Sequence, residues 1–291
     1  MAVSASQKLE EQARQISGAL PALLLAAEAV ADQLRTGSHG RRRAGNGETF
    51  WQFRPYEPGE SIQQIDWRQS AKADQAIVRE QEWSAPQTAL IWTDASASMH
   101  FTSASDKPTK AEATQILALA LAILLHRSEE FVGSLDGSVP PSASRQSREQ
   151  LAAWLLSLEA SNSSLPSPLV HKKRAQTLWF SDFLDDPNAL KTNLASLANA
   201  QMPGLLIQVL DPAERDLPYK GRLRFLDLEG EGRWTIQRTQ DIRPEYQARF
   251  DTHQAHLQSV VSAVGWRLVT LSSHDDAKAN LAKLYAVLRN R

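Results

Sequence analysis

The sequence contains no cysteine, which excludes disulfide bonds and thiolate metal sites. It also lacks an excess of either charge, since 32 Lys and Arg residues against 33 Asp and Glu residues leave a net charge of -1. A balanced charge gives no general attraction to nucleic acid or to an anionic membrane surface. We therefore expect that neither nucleic acid nor lipid is the main partner.

Apolar runs long enough to cross a membrane are also lacking. The longest apolar segments are residues 19–31, which a proline and a glutamate interrupt, and residues 116–125. Both are shorter than the roughly 20 residues that a membrane-spanning helix needs. Glu10 and Glu11 lie near the N-terminus, which therefore lacks the cationic start of a secretory signal. We expect a cytoplasmic protein without a membrane span.

Buried strands alternate with helices from residue 88 onwards. The predicted strands cover about 88–93, 130–135, 177–181, 205–210 and 266–271. The predicted helices cover about 109–127, 145–158, 187–200, 244–264 and 275–288, with a β-hairpin inserted at 222–237. This alternation predicts an α/β fold with a doubly wound, mainly parallel sheet. We assign residues 88–291 to this domain.

The residues before this domain form two further regions. Residues 1–36 have the apolar spacing of a helix, which packs either on the protein's own body or on a partner. Residues 37–87 are predicted to be a small β-rich subdomain that begins with a mobile loop at 37–47, rich in glycine and arginine. Within it, Asp66-Trp67-Arg68 is interpreted as a buried salt bridge stacked on an aromatic ring.

The most informative segment is Asp94-Ala95-Ser96-Ala97-Ser98, directly after the strand at 88–93. A carboxylate and two hydroxyls at alternate positions can turn toward one point, and oxygen ligands suit hard cations. The alternative is a strand-to-helix turn with capping side chains, which Asp and Ser also favour. Because hydroxyls carry no formal charge, an ion held here would retain affinity for one more carboxylate.

Asp182 follows a second buried strand, at 177–181. In open α/β sheets, ligands bind beyond the carboxyl ends of the strands, where the strand order reverses. If the strands before Asp94 and Asp182 flank that reversal, the two carboxylates face the same crevice. The alternative for Asp182 is a helix cap before Pro187, a role that Asp185 or Asp186 could also fill.

Four motifs carry a resemblance to known families. The Asp94 segment resembles the DxSxS signature of von Willebrand factor A-type domains, which hold a divalent ion in a metal-ion-dependent adhesion site. The chain from about residue 41 to 288 resembles the bacterial family catalogued as domain of unknown function 58, whose core is such a domain. In order, the matching segments are Ile65-Asp66-Trp67-Arg68 with Ser70-Ala71 and Val78-Arg79, the Asp94 segment, Ser181-Asp182-Phe183, and Asp211-Pro212-Ala213-Glu214 with Leu217-Pro218.

The resemblance implies a Rossmann-like sheet of von Willebrand factor A type and a set of ligands for Mg²⁺, Mn²⁺ or Ca²⁺. The first-loop ligands would be Asp94, Ser96 and Ser98, and the third-loop ligand would be Asp182. The usual second-loop threonine has no clear match, so Ser163, or else Ser164, would replace it. A serine lacks the methyl group that helps to fix the hydroxyl rotamer, which lowers the affinity we expect.

The resemblance also implies a partner, because members of this family often accompany MoxR-type AAA+ ATPases that are thought to act in chaperone-like maturation. The function it implies is a non-enzymatic module that captures a carboxylate of the ATPase or of its client. One alternative is a metal-independent scaffold that uses the N-terminal helix and residues 41–43. The other is a phosphate-ester hydrolase that uses Asp94, which is disfavoured because Ser96 replaces the second aspartate of haloacid-dehalogenase-type phosphatases.

Overall fold

The structure is a computed structural model that describes residues 21–34, 41–45, 49–57, 60–73, 75–85, 87–158, 164–166, 175–199, 202–226 and 232–289. By its internal contacts the chain divides into two compact units. Residues 38–87 form the small unit, and the described residues before and after them form the large unit.

The helices and strands alternate along most of the chain. In order they are α1 (helical over 21–32), β1 (Arg41–Gly45), β2 (Thr49–Pro55), α2 (Trp67–Ser70), β3 (Ile77–Ala85), β4 (Thr88–Thr93), α3 (Lys110–Arg127), β5 (Phe131–Ser134), α4 (Arg145–Ser157), β6 (Gln176–Ser181), α5 (Pro187–Asn199), β7 (Gly204–Leu210), α6 (Pro212–Asp216), β8 (Leu223–Leu226), β9 (Arg233–Ile236), α7 (Thr239–Ala263), β10 (Arg267–Ser272) and α8 (Ala277–Arg289). Short 3-10 turns cover Ile62–Gln64 and Ala97–His100.

The small unit is an antiparallel sheet in the order β1-β3-β2. Its first strand corrects one prediction, because residues 41–45 do not form a loop but pair with β3, Arg41 opposite Ala85 and Gly45 opposite Gln81. Glycine and consecutive arginines are typical of loops, but charged residues also suit an exposed sheet edge, which they protect from further pairing. The rest of the expected loop lies outside the described residues.

The Asp66 motif of the small unit is also not what we predicted. Within the described part of the chain Asp66 takes part in no salt bridge; its Oδ1 accepts the backbone N–H groups of Arg68 and Gln69, both at 3.0 Å, and caps α2. Trp67 is 64 % exposed, so its ring is not the buried aromatic that we expected. The Ser70 hydroxyl instead joins α2 to β3, since it accepts the Ile77 N–H at 2.8 Å. The motif therefore fixes a local turn.

The large unit contains a sheet of five parallel strands in the order β10-β7-β6-β4-β5. The chain runs from β4 outward to β5 and then back across β4 to β6, so the strand order reverses between β4 and β6. Successive residues of these strands point to opposite faces and into two apolar cores. The core on one face receives side chains from α1, α3, α4 and α8, and the core on the other receives side chains from α5 and α7. The α/β doubly wound, Rossmann-like fold that the alternation predicted is confirmed.

Helix α3 is the central helix of the first core. Every residue from Leu117 to Leu125 is at most 3 % exposed, because neighbouring helices cover the sides that the sheet leaves open. Helix α1 contributes Leu23, Ala27 and Ala31 to the same core. For the described residues of α1, the prediction that this helix packs on the core of the same chain is therefore confirmed.

A hairpin and a long helix lie between β7 and β10 in the sequence. The hairpin of β8 and β9 is antiparallel, as predicted. The long helix predicted at about 244–264 is present as α7, but it begins earlier than predicted, at Thr239. A proline in the second turn costs the helix one hydrogen bond but is tolerated close to the N-terminus. Among the described residues no helix combines the length and the apolar character needed to cross a membrane.

Candidate functional site

Asp94 lies at the carboxyl end of β4, at the reversal of strand order. Its backbone N–H donates to the Phe180 carbonyl at 2.8 Å, which extends the β4–β6 pairing by one residue. Its carboxylate is buried and accepts two hydrogen bonds: Oδ1 from the Ser96 N–H at 2.7 Å, and Oδ2 from the Ser181 hydroxyl at 2.6 Å. These contacts hold the ends of β4 and β6 together.

The two hydroxyls of the motif continue the cluster toward β6. Ser96 Oγ lies 3.1 Å from Ser98 Oγ, and Ser98 Oγ donates to Asp182 Oδ2 at 2.8 Å. Ser96 precedes the 3-10 turn, but its hydroxyl does not cap that turn. The structure thus brings Asp94, Ser96, Ser98 and Asp182 together, and we call these four residues the oxygen cage.

Hydrogen bonds to both the side chain and the backbone of Asp182 fix its position. Its Oδ1 accepts the Leu184 N–H at 3.2 Å, and its carbonyl accepts from the Gln208 amide at 2.9 Å. The next residue, Phe183, adopts a left-handed backbone conformation with φ of 47°. The alternative role of Asp182 as a helix cap falls instead to Asp186, whose Oδ1 accepts the Asn188 N–H at 3.0 Å.

Lys110 lies beside the cage and was not predicted from the sequence. It occupies the first turn of α3, and its side chain is fully buried. Its ammonium donates to Asp182 Oδ2 at 2.7 Å and also to Glu214 Oε1. The sequence signal for this role was weak: it consisted of a lysine in the first turn of a helix that is mainly apolar. The contacts of Lys110 with Asp182 and Glu214 span 72 and 104 residues of sequence, so local patterns do not reveal them.

Glu214 belongs to the short helix α6, which follows β7. It forms a capping box with Asp211, in which Glu214 Oε2 accepts the Asp211 N–H at 2.9 Å and Asp211 Oδ1 accepts the Ala213 N–H at 2.8 Å. The pairing of Glu214 with Lys110, which was not predicted from the sequence, adds a third carboxylate to the cluster.

The electrostatics of the cluster follow from its burial. Burial raises the pKa of Asp94 more than its hydrogen bonds lower it. Burial likewise raises the pKa of Glu214, although Lys110 acts in the opposite direction. Burial acts to lower the pKa of Lys110, but the charges of Asp182 and Glu214 together outweigh it and raise that pKa. The negative forms of Asp94 and Glu214 are therefore less favourable than in water, while the Lys110 ammonium stays charged.

The predicted second-loop ligand is not placed by the structure. Ser163 lies outside the described residues. Its alternative, Ser164, donates its hydroxyl to Asp185, an exposed contact. Asp185 lies three residues after Asp182, so this pair is close in sequence to the third loop of the cage.

The spacing of the oxygens in the cage is compatible with a hard divalent cation, and equally with the hydrogen bonds that join these groups. Magnesium–oxygen bonds of about 2.1 Å in octahedral geometry place neighbouring ligand oxygens about 3 Å apart. The hydroxyl and carboxylate oxygens of Ser96, Ser98 and Asp182 are spaced at 3.1 and 2.8 Å. Within the described residues no group of three or more His, Cys, Asp or Glu is placed to hold a metal ion. A metal here would therefore depend on the serine hydroxyls.

Comparisons with known proteins place the chain in a family. It is 22 % identical to uncharacterized proteins of Mycobacterium bovis and Mycobacterium tuberculosis over 289 residues, which cover 94 % of this chain and 90 % of theirs. Two solved structures are similar over 70 % of this chain and all of theirs. They are conserved hypothetical protein BatB from Bacteroides thetaiotaomicron (15 % identity, TM-score 0.42) and an aerotolerance-related membrane protein from Bacteroides fragilis (12 % identity, TM-score 0.41). The family model "Protein of unknown function DUF58" matches residues 52–256, and the chain belongs to that family.

Proposed function

We propose that this protein is a non-enzymatic binding module that captures a carboxylate of a partner protein through a divalent cation held in the oxygen cage. The observation that carries the proposal is the convergence of Ser96, Ser98 and Asp182 oxygens at spacings of 3.1 and 2.8 Å. The cage lies beyond the carboxyl ends of β4 and β6, where α/β sheets bind ligands.

The chemistry of the ligands supports a carboxylate as the captured group. Mg²⁺, or Mn²⁺ or Ca²⁺ in its place, would meet two neutral hydroxyls and the carboxylates of Asp94 and Asp182. Asp94 would retain its hydrogen bonds to Ser96 and Ser181, which fix its orientation. A cation with few charged ligands supplies strong attraction for an incoming Asp or Glu side chain. Ser163 would be a further hydroxyl ligand if its loop reaches the cage.

The partner we propose is a MoxR-type AAA+ ATPase or its client protein, because the family resemblance implies that association. The test is a pull-down from the native cell in Mg²⁺ and in EDTA, with wild type and with Asp94→Ala. We expect the ATPase to be recovered in Mg²⁺ by wild type alone. Recovery that is unchanged in EDTA and by Asp94→Ala would contradict a metal-dependent role.

A second candidate is a metal-independent scaffold, and Lys110 is the observation that favours it. The ammonium already supplies one positive charge to Asp182. Calorimetric titration with Mg²⁺, Mn²⁺ and Ca²⁺ separates the two candidates. Heat of binding that Asp94→Ala abolishes supports the metal-dependent module, whereas no heat together with intact partner binding supports the scaffold.

A hydrolase that uses Asp94 as nucleophile has weaker support. Both carboxylate oxygens of Asp94 accept hydrogen bonds, and Ser96 occupies the position where a general acid would be required. Turnover of a generic phosphate ester that Asp94→Asn abolishes would establish this activity.

A further inference from the structure

A buried ammonium group shares an oxygen with the cage. Lys110 Nζ donates to Asp182 Oδ2 at 2.7 Å, and that same Oδ2 accepts the Ser98 hydroxyl at 2.8 Å. The Lys110 side chain is fully buried. A cation bound to Asp182 in the cage would therefore meet a second positive charge at the same carboxylate.

Lys110 has a second carboxylate partner on the far side of the cluster. Nζ also donates to Glu214, which α6 holds in place through the Asp211 N–H at 2.9 Å. The hydroxyl of Tyr246 donates to the Glu214 carbonyl and joins α6 to α7. Glu214 is thus held in place, and it lies in α6, the helix that follows β7. Strand β7 is next to β6 and not next to β4.

Burial makes these pairings obligatory. A buried ammonium without a partner strongly destabilises the fold, so Lys110 must remain bonded to at least one carboxylate. Like charges at a distance of a few ångströms repel strongly in a partly buried site. Glu214 provides a partner that Lys110 can keep when Asp182 binds a different cation.

We propose that Lys110 is a resident cation that competes with a divalent metal for Asp182, and that Glu214 weakens this competition by retaining the ammonium. This inference rests on the proposed function and adds how the same site is regulated. It implies that metal affinity is set by the exchange of Asp182 between Lys110 and the metal.

The test is a set of Mg²⁺ titrations by calorimetry, with Mn²⁺ titrations by electron paramagnetic resonance, on the full chain. The variants are Lys110→Met, Glu214→Gln and the double variant Lys110→Met/Glu214→Gln. We expect Lys110→Met to bind Mg²⁺ at least about tenfold more tightly than wild type, because the competing charge is removed. We expect Glu214→Gln to bind several-fold more weakly, because the ammonium then depends on Asp182 alone.

The double variant gives the sharpest comparison. It removes one positive and one negative charge, so the net charge of the cluster equals that of wild type. A general charge effect predicts unchanged affinity, whereas competition predicts tighter binding than wild type. If Lys110→Met does not fold, as judged by its thermal melt, the charge-balanced double variant carries the test alone. Lys283→Met, on the exposed face of α8, is the matched control and should leave affinity unchanged.

The outcomes separate this inference from the proposed function. Equal Mg²⁺ binding by wild type and all variants would overturn the competition and leave the metal-dependent module intact. Binding by Lys110→Met but not by wild type would support the competition and identify wild type as the metal-independent scaffold. Absence of Mg²⁺ and Mn²⁺ binding in wild type and every variant would overturn both proposals.

Discussion

Asp94 and Asp136 occupy similar positions with opposite environments. Both follow the carboxyl end of a parallel strand, β4 and β5 respectively, and both lie two residues before a serine. Asp136 accepts four hydrogen bonds from its own surroundings: the hydroxyl and N–H of Ser138 at 2.8 and 3.0 Å, the Trp154 indole N–H at 3.0 Å, and the Ser134 hydroxyl. Asp94 accepts two.

Burial and hydrogen bonding together set the direction in which each pKa moves, and Asp94 is buried whereas Asp136 is exposed. Burial acts to raise the pKa of Asp136, but its four donors outweigh burial and lower it. For Asp94 burial outweighs the donors, and the nearby charge of Asp182 raises the pKa further. Strand β5 lies at the sheet edge, whereas β4 lies at the reversal of strand order. The same Asp-x-Ser spacing therefore gives a local turn at β5, and at β4 a buried acid whose hydrogen bonds do not fully offset its burial.

The largest expected difference between the two aspartates is in metal binding. We expect Asp94→Ala to weaken Mg²⁺ binding by at least about 100-fold, since it removes a charged group of the cage. Asp136→Ala should change the affinity by no more than about twofold, because the hydrogen bonds of its side chain go to Ser134, Ser138 and Trp154, which lie outside the cage. Calorimetric titration measures both. Equal losses in the two variants would show that the effect is general destabilisation.

The next difference is in stability, where the two aspartates should respond in opposite directions. Asp136→Asn should lower the free energy of unfolding by about 1–3 kcal/mol, because a charged acceptor with four donors is replaced. Asp94→Asn should raise it by about 1 kcal/mol in EDTA, because a buried charge beside Asp182 is removed. Urea denaturation of each variant measures these changes. Destabilisation by Asp94→Asn would mean that its hydrogen bonds outweigh the cost of burial.

The third difference depends on pH. The pKa of Asp136 is lower in the folded protein than in the unfolded chain, where it is about 3.8. The stabilisation from its carboxylate is therefore fully present above the pKa of the unfolded chain and is lost as the pH falls through the pKa of the folded protein. The stabilities of wild type and Asp136→Asn should therefore converge below pH 4. Denaturation curves in EDTA at pH 7 and at pH 3 test this. A constant difference between the two proteins at both values would contradict the assignment.

The smallest expected effect comes from Trp154, which supports Asp136 from α4. Trp154→Phe removes the indole donor but leaves three others, so we expect a loss of about 1–2 kcal/mol in stability. Metal binding should be unchanged. Thermal melting and Mg²⁺ titration of the same sample test both parts, and a change in affinity would show that the edge turn influences the cage.

Most of the large unit could be predicted because each of its elements has a local signal. The capping box of Thr109 and Glu112 marks the start of α3, and continuous apolar runs mark the buried strands. The approach of Asp94 to Asp182 was predictable in outline, because ligand sites lie where strand order reverses. Residues 41–45 were misassigned, because the pairing with β3 that stabilises them is not visible in their own composition.

The missing parts of the site all depend on distant contacts. Lys110 reaches Asp182 and Glu214 only because α3 and α6 begin at the same edge of the sheet. Ser181 was assigned only to the third loop, and its hydrogen bond to Asp94 was not predicted because it spans 87 residues of sequence. Local spacing can identify cage ligands that are close in sequence, but it cannot show which cation lies beside them.

The burial of α3 has a practical consequence for experiments on this family. The matched region, residues 52–256, begins within β2 and ends within α7, so it leaves out α1, β1, β10 and α8. Without them, α3 would expose leucines that α1 and α8 cover, and β7 would become an unpaired edge. A protein trimmed to residues 52–256 should therefore aggregate, and binding studies need α1, β10 and α8.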